Sequence, residues 1–151
     1  MSTANDIALA VSARLATISV ANGFNTDIGL KSYRGRKRLD KTHMPCTVLI
    51  ERDDKPSGQS LQRLPQVKVN QRYVLEGHAP CNADNPNDMG HKIIADLKKA
   101  IWSQPFTYGT EQRAISLMYE GKSIAPREDG LDVVAAAVEI SVDFVEQLSN
   151  P

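Results

Sequence analysis

The segment from Val133 to Phe144 constrains the fold more than any other, because apolar residues alternate along its whole length. One face of the predicted strand carries only apolar side chains: Val134, Ala136, Val138, Ile140, Val142 and Phe144. The other face changes along the strand from Val133, Ala135 and Ala137 to Glu139, Ser141 and Asp143. Such alternation predicts a strand with one face on a hydrophobic core. We expect the first half to be covered on both faces and the second half on one.

Two other segments carry apolar residues at helical spacing, and each predicts an amphipathic helix with one buried stripe. The stripes consist of Ile7, Val11, Leu15 and Ile18, and of Met89, Ile93, Leu97 and Ile101. The polar side of the second helix is predicted to carry Lys92, Asp96, Lys98 and Lys99.

Local signals predict where both helices begin and end. Asn5 or Asp6 can cap the first helix, and Gly23 can end it because glycine adopts the left-handed conformation without strain. The pair Asn85-Pro86 supplies a capping side chain followed by a proline that suits the first helical position. Pro105 is expected to end the second helix.

A long antiparallel hairpin is predicted between the helices. Its strands run from Cys46 to Glu51 and from Pro65 to Leu75, with a bend or bulge near Gln71. Residues 53–64 between them are rich in charge, Gly, Ser and Gln, which is typical of a solvated, flexible loop.

The segment from Ala114 to Glu120 is predicted to pair with the strand that begins at Val133. Together these elements predict an α/β (α+β) fold: a mainly antiparallel sheet with two helices packed on one face. A chain of 151 residues is long enough for one sizeable core, so we expect a single domain spanning residues 1–151.

The composition limits which environments and partners suit the chain. Eighteen basic and eighteen acidic residues cancel, so any attraction to nucleic acid must be local. The longest apolar run, Val133 to Val138, is too short to span a bilayer, and no secretory signal is apparent. We expect an intracellular protein that makes no membrane contact and keeps its two cysteines reduced.

Familiar enzyme motifs are absent from the sequence, including the nucleophile elbow, the phosphate-binding glycine loop and the zinc-protease helix motif. The carboxylate pairs Asp53-Asp54 and Glu128-Asp129 lie in predicted loops, where solvated charge is the usual explanation. We therefore expect no enzymatic activity, no catalytic residues and no cofactor.

Two tetrads of the form H-x-P-C raise the question of a metal site. The hairpin brings both tetrads to the same end, and two histidines with two cysteines suit tetrahedral zinc: His43, Cys46, His78 and Cys81. The alternative is that the prolines mark strand ends and the cysteines pack as small apolar groups. We favour this alternative, because reduced cysteines are commonly buried, and predict no metal.

A cluster of positive charge, which we call the basic segment, spans residues 31–41. Its cations are Lys31, Arg34, Arg36, Lys37, Arg38 and Lys41. With Tyr33 they could contact a phosphate backbone. Alternatively they form a solvated loop or an edge strand protected by charge, or they meet an acidic partner subunit. Gly35 predicts a turn within the segment.

An aromatic cluster, Trp102 with Phe106 and Tyr108, follows the second helix. These side chains could cap the core or anchor an interface between subunits. Core packing is the preferred interpretation.

The order of local motifs resembles that of one protein family. A helix is followed by Ala21-Asn22-Gly23-Phe24-Asn25-Thr26, then by Tyr33-Arg34-Gly35-Arg36, then by a strand that begins Pro45-Cys46-Thr47-Val48-Leu49-Ile50. This order resembles the tail-terminator proteins of long-tailed bacteriophages. The resemblance implies a small α/β subunit that forms a homohexameric ring at the head-proximal end of the virion tail.

Such a ring would dock on the tail-tube protein, stop its polymerisation and present its other face to the head–tail connector or neck protein. DNA passing through the lumen would make a secondary contact. The residues predicted to bind partners are Lys31, Arg34, Arg36, Lys37, Arg38, Asp53, Asp54 and Lys55. The alternatives are a small nucleic-acid-binding module that uses the basic segment, and a head-completion or neck protein.

Overall fold

The computed structural model describes residues 2–36, 38–60, 65–110, 112–114, 116–126 and 128–151. The two α-helices are α1 (Thr3–Leu15) and α2 (Pro86–Trp102). The strands are β1 (Ser32–Arg34), β2 (Cys46–Ser60), β3 (Gln66–Pro80), β4 (Thr107–Tyr108), β5 (Gln112–Arg113), β6 (Ser116–Ile124) and β7 (Val133–Gln147). Short 3-10 helices lie at Val20–Asn22, Ile28–Leu30 and Lys41–His43.

Five strands form the main sheet, in the order β1-β2-β3-β7-β6, and β4 pairs separately with β5. Every neighbouring pair in the main sheet is antiparallel except β1 with β2. The central strand β3 pairs with β7 from Gln66 opposite Gln147 to Pro80 opposite Val133. The predicted α+β fold with a mainly antiparallel sheet is confirmed.

Both helices pack on one face of this sheet, as predicted. The stripe residues Ile7, Val11, Leu15, Ile18, Ile93, Leu97 and Ile101 are all fully buried, at 0% exposure. Met89 is only partly buried, because it lies in the first turn of α2 at the margin of the core. The alternate residues of β7 from Val134 to Phe144 complete the core from the sheet side.

Helix α1 ends at Leu15, so the prediction that it continues to Gly23 was wrong. The chain turns there because the N–H of Gly29 donates to the carbonyl of Ile18 (2.9 Å), and the helix Ile28–Leu30 packs against the turn. Gly23 does adopt the left-handed conformation (φ 86°), but it ends the 3-10 helix Val20–Asn22.

The capping side chains also differ from those predicted. Ser2 caps α1, and its hydroxyl accepts from the Asn5 N–H at 3.2 Å. Asn85 precedes Pro86 as expected, yet its side chain makes no capping hydrogen bond. Its ψ of 60° is far from the extended conformation of a capping residue.

The hairpin is confirmed, but β2 continues to Ser60, so residues 53–60 of the predicted loop are strand, and residues 61–64 lie outside the described residues. We call residues 52–60 of β2 and 66–72 of β3 the arm. Charged residues and glycine form a strand here because β3 is itself anchored: Val67 and Val69 are buried at 4% and 2% exposure. A register shift between Glu51 and Asp54 confirms the irregularity predicted opposite Gln71.

The final strand pair is confirmed with longer strands than predicted, β6 and β7. On the face of β7 away from the helices, Val133, Ala135 and Ala137 are half-buried. The described chain therefore leaves this face of β7 only partly covered, although the apolar residues on it predict full cover. Among the described residues, no helix combines the length and apolar character needed to cross a bilayer.

Candidate assembly interface

Three of the five described cations of the basic segment are satisfied within the subunit. Arg34 forms an ion pair with Glu51 (3.1 Å), and Lys41 with Asp132 (2.7 Å). The Lys31 ammonium donates to the carbonyl of Thr42 at 2.9 Å. These three side chains, of which Lys31 and Arg34 were predicted to bind partners, therefore hold β1 and the following chain against the rest of the subunit.

Arg36 and Arg38 differ, because both are exposed and neither pairs with a carboxylate among the described residues. The Arg36 guanidinium lies 4.4 Å from the centre of the Tyr33 ring. Gly35 makes the predicted turn with φ 67°, and its N–H donates to Leu49 at 2.9 Å. Two cations are thus available to a partner, and Lys37 between them lies outside the described residues.

The predicted partner-binding residues Asp53, Asp54 and Lys55 lie in the arm, not in a loop. All three are exposed, and none forms an ion pair with another described residue. They border a groove that also includes Arg72 and Tyr73. Burial raises the pKa of Tyr73, and its hydroxyl finds no hydrogen-bond partner within the described chain.

The structure therefore separates the predicted binding residues into two places. The basic segment lies beside the start of β2, since Tyr33 of β1 pairs with Val48. The arm begins after the register shift that follows Glu51. Neither set meets the other within the subunit.

Two polar side chains on the helix-free face of the sheet each bury one atom that makes no hydrogen bond within the described chain. Glu76 and His78 of β3 lie next to Ala137 and Ala135 of β7. Glu76 Oε2 and His78 Nε2 are buried, 3.8 Å apart, and neither makes a hydrogen bond within the described chain. Such atoms are costly to leave without a partner.

A groove adjoins His78 on this face. It is lined mainly by apolar side chains, among them Met44, Pro126, Leu131, Val133 and Ala135. Leu131 is 40% exposed. The groove and the half-buried residues of β7 form a surface that suits a covering partner.

The arm end of the helix-free face is different, because its polar groups are satisfied. Asn70 and Ser116 donate to the two carboxylate oxygens of Asp143 at 2.6 and 2.9 Å, and the Asn70 bond is the main reason its pKa is lowered. Ser141 donates to Glu120 at 2.7 Å.

The two H-x-P-C tetrads do meet at one end of the hairpin, where Cys46 pairs with His78. Their side chains do not converge: the His43 imidazole accepts from the Asp40 N–H at 3.1 Å in a local cap. Cys46 is fully buried, which raises the pKa of its thiol, whereas Cys81 is half-buried. No metal-binding group of three or more His, Cys, Asp or Glu side chains occurs in the described ranges.

Asp96 has a role that the sequence pattern missed. The prediction placed it on the polar side of α2, but it is buried at 1% exposure. Its carboxylate accepts four hydrogen bonds at 2.6 to 3.0 Å, from the backbone and side chain of both Asn25 and Thr26. Nearby, the Lys99 ammonium donates to the Gly23 carbonyl at 2.8 Å. Helix α2 thus fixes residues 23–26. The sequence did hold one sign that Asp96 is buried: it lies three residues after Ile93 and next to Leu97, both of the apolar stripe.

The aromatic cluster belongs mainly to the core, as preferred. Phe106 and Tyr108 are buried at 9% and 8% exposure. Trp102 remains 37% exposed and meets the ring of Tyr119 edge-on at 6.1 Å. The Arg14 guanidinium packs over Phe106 and donates to the carbonyls of Ile101, in the last turn of α2, and of Gln104, just after it.

No family model and no curated protein matches the chain. Among solved structures, it is similar to a chain from the virion of a native gene transfer agent particle. The TM-score is 0.61 at 13% sequence identity, and the similarity covers 95% of this chain and 96% of the other. The two chains share a fold over nearly their whole lengths.

Proposed function

We propose that this protein is a structural component of a phage-like virion, and specifically a tail terminator. The observation that carries the proposal is the fold shared almost end to end with a chain from a gene transfer agent virion. The order of motifs from Ala21 to Ile50, which resembles the tail-terminator family, supports the finer assignment.

The proposed mechanism is steric. Copies of the chain form a homohexameric ring at the head-proximal end of the tail, where one face stops growth of the tail tube and the other receives the connector or neck protein. A head-to-tail interface closes into a ring when its rotation divides a full turn. The role requires no catalysis and no cofactor, and DNA in the lumen is a secondary contact.

Exposed charges support partner docking at two places on the subunit. Arg36 and Arg38 on one side and Asp53, Asp54 and Lys55 on the other can meet a partner without breaking an internal ion pair. Charges of this kind contribute orientation and encounter rate more than net affinity. Lys31, Arg34 and Lys41 are assigned mainly to holding the basic segment in place.

Tail length in particles assembled without the protein tests the proposal. We expect overlong tubes or tails that fail to join heads, measured by electron microscopy of negatively stained lysates. Supplying the wild-type chain should restore uniform, joined tails, and so should the matched control Lys92→Ser on the exposed side of α2. The double variant Arg36→Ser, Arg38→Ser should restore them poorly.

Tails of normal length that join heads in the absence of the protein would contradict the proposal. Tails of normal length beside heads that lose DNA would instead favour a head-completion or neck protein. A chain that elutes as a monomer and binds DNA with a steep salt dependence would favour a nucleic-acid-binding module.

A further inference from the structure

Strand β6 forms one edge of the main sheet, and its outer side pairs with no other strand in the part of the chain that the structure describes. Two of its large apolar side chains are exposed, Met118 at 52% and Tyr119 at 45%. Soluble proteins usually protect such an edge with proline, charge or a covering element. No proline interrupts β6, and Glu120 accepts from Ser141 of the neighbouring strand β7 at 2.7 Å. The outer edge of β6 is therefore able to pair with a further strand.

A groove beside the start of β6 can receive a side chain of such a strand. Its walls come from the end of α2, the chain that follows and the start of β6: Ile101, Trp102, Pro105, Phe106, Ala114 and Leu117. Leu117 and Tyr119 lie opposite Val142 and Ile140 of β7, so both point to the helix side of the sheet. When an extended segment adds to a sheet edge, main-chain hydrogen bonds provide affinity and pockets for alternate side chains provide specificity.

The charge on the helix side of β6 is positive. The Lys98 ammonium of α2 lies 4.7 Å from the centre of the Tyr119 ring. Lys122 is exposed on the same side of β6, opposite Val138. Neither lysine forms an ion pair with a carboxylate of the described ranges. Acidic side chains on an added strand would gain cross-strand ion pairs here.

We propose that β6 binds an extended acidic segment of a different protein, which joins the main sheet as a sixth strand. An apolar side chain of this segment enters the groove beside Trp102, and acidic side chains on the same face meet Lys98 and Lys122. The inference deepens the proposed function and rests on it, because it assigns β6 as the edge through which the subunit docks on another virion protein.

A second copy of the chain does not supply a segment of this kind. The opposite edge of the sheet offers β1, which has three residues beside the cations Lys31 and Arg36. It also offers the arm, in which cations outnumber acids by four to two and the register of β2 shifts twice. Two copies joined through β6 would bring the same lysines to both sides of the contact. Charge complementarity therefore favours a different protein as the occupant.

Titration of the full chain with a blocked peptide of seven residues tests the pairing. The peptide carries Glu, Glu and Leu at positions two, four and six, and Thr or Val elsewhere. Trp102 is the one tryptophan of the sequence and lines the groove, so its fluorescence should change to saturation. The variant Lys98→Glu, Lys122→Glu should bind this peptide about tenfold more weakly or worse, and should bind better a peptide in which Lys replaces both Glu residues.

Two N-methylated forms of the peptide separate strand addition from attraction between charges alone. One is methylated on the backbone nitrogens of odd residues and the other on those of even residues. Only one form should lose binding, because alternate N–H groups of a paired strand face its neighbour. The control Arg52→Glu, Lys55→Glu makes the same change in net charge in the arm, away from β6, and should bind like the wild type. Circular dichroism should show that both variants fold.

The inference is overturned if Trp102 fluorescence does not respond, if reversal of Lys98 and Lys122 leaves the peptide preference unchanged, or if both N-methylated forms bind equally. It is also overturned if the peptide disperses a homo-oligomer in sedimentation velocity, because a second copy would then occupy this edge. Tail length is scored separately. Particles with normal, joined tails built from the Lys98→Glu, Lys122→Glu variant would overturn this docking edge and leave the proposed function standing.

Discussion

At the scale of single residues, Asp96 connects the second helix to the chain that follows the first. Its two oxygens accept from four donors, of which the two of Thr26 are buried and the two of Asn25 partly buried. This position explains why an acid is tolerated between the apolar residues of α2. Burial of a carboxylate is favourable only when hydrogen bonds replace its lost hydration.

Asp96→Ala is expected to lower the free energy of unfolding by about 3 kcal/mol, because two buried and two partly buried donors lose their acceptor at once. Urea denaturation followed by circular dichroism measures the change. Asp88→Ala, at an exposed acid in the first turn of the same helix, is the control and should cost less than about 1 kcal/mol. Equal effects of the two substitutions would show that the network around Asp96 contributes little.

At the scale of elements, the connection from α1 to β1 depends on close packing between backbone atoms. Gly29 lies against the turn after α1, where a Cβ atom would come within 3 Å of the Leu15 carbonyl and of the Ile18 backbone. Backbone atoms cannot move aside as a flexible side chain would. The short helix Ile28–Leu30 therefore requires glycine at its centre.

Gly29→Ala should lower the free energy of unfolding by about 1–3 kcal/mol, because the added methyl group overpacks this contact. The matched substitution Gly58→Ala, where no atom lies within 4 Å of the added carbon, should change stability by less than about 0.5 kcal/mol. Thermal denaturation of both variants provides the comparison. A neutral Gly29→Ala would mean that the turn after α1 relaxes without cost.

The elements with strict periodicity could be predicted from the sequence because burial enforces them. The alternation of β7 and the stripe of α2 are examples, since a shift by one residue would expose an entire face. The strand from Asp53 to Ser60 could not be predicted, because its polar residues form strand only beside the anchored β3. The hydrogen-bond partners of Asp96 could not be predicted either, since Asn25 and Thr26 lie about seventy residues away in the sequence.

The sequence identified charged residues that could belong to an interface, but it did not show how they are arranged. The charged residues of the basic segment and the arm were identified from local clustering. Which of them are free depends on tertiary contacts: Glu51 neutralises Arg34 and Asp132 neutralises Lys41, whereas Arg36 and Arg38 remain open. Glu76 gave no sequence signal and His78 was considered only for a metal site, because alternation alone does not show that a buried polar atom lacks a hydrogen bond.

At the scale of the whole molecule, one core connects every major element. Residues of α1, α2, β3 and β7 belong to the same buried cluster. The chain should therefore unfold in a single transition at concentrations where it is monomeric. Trp102, the one tryptophan of the sequence, ends α2 and contacts Tyr119 of β6, so its fluorescence reports on tertiary structure.

Trp102 fluorescence and far-ultraviolet circular dichroism should give the same midpoint of urea unfolding and the same dependence of the free energy of unfolding on urea concentration. Agreement is expected because neither the arm nor the helices have a core of their own. Two separated midpoints would indicate that part of the sheet unfolds independently, and would contradict the assignment of residues 1–151 to one domain.

The outer edge of β2 has a further consequence for the free subunit. β1 pairs only with Thr47 to Leu49, so the rest of this long strand has an open edge among the described residues. Open edges of this length invite fibrillar stacking of copies. Here Pro56 lacks an N–H, the register shifts at Asp54 and again at Gly58, and charges flank both irregularities. We therefore expect free subunits to resist amyloid growth through this edge at high concentration.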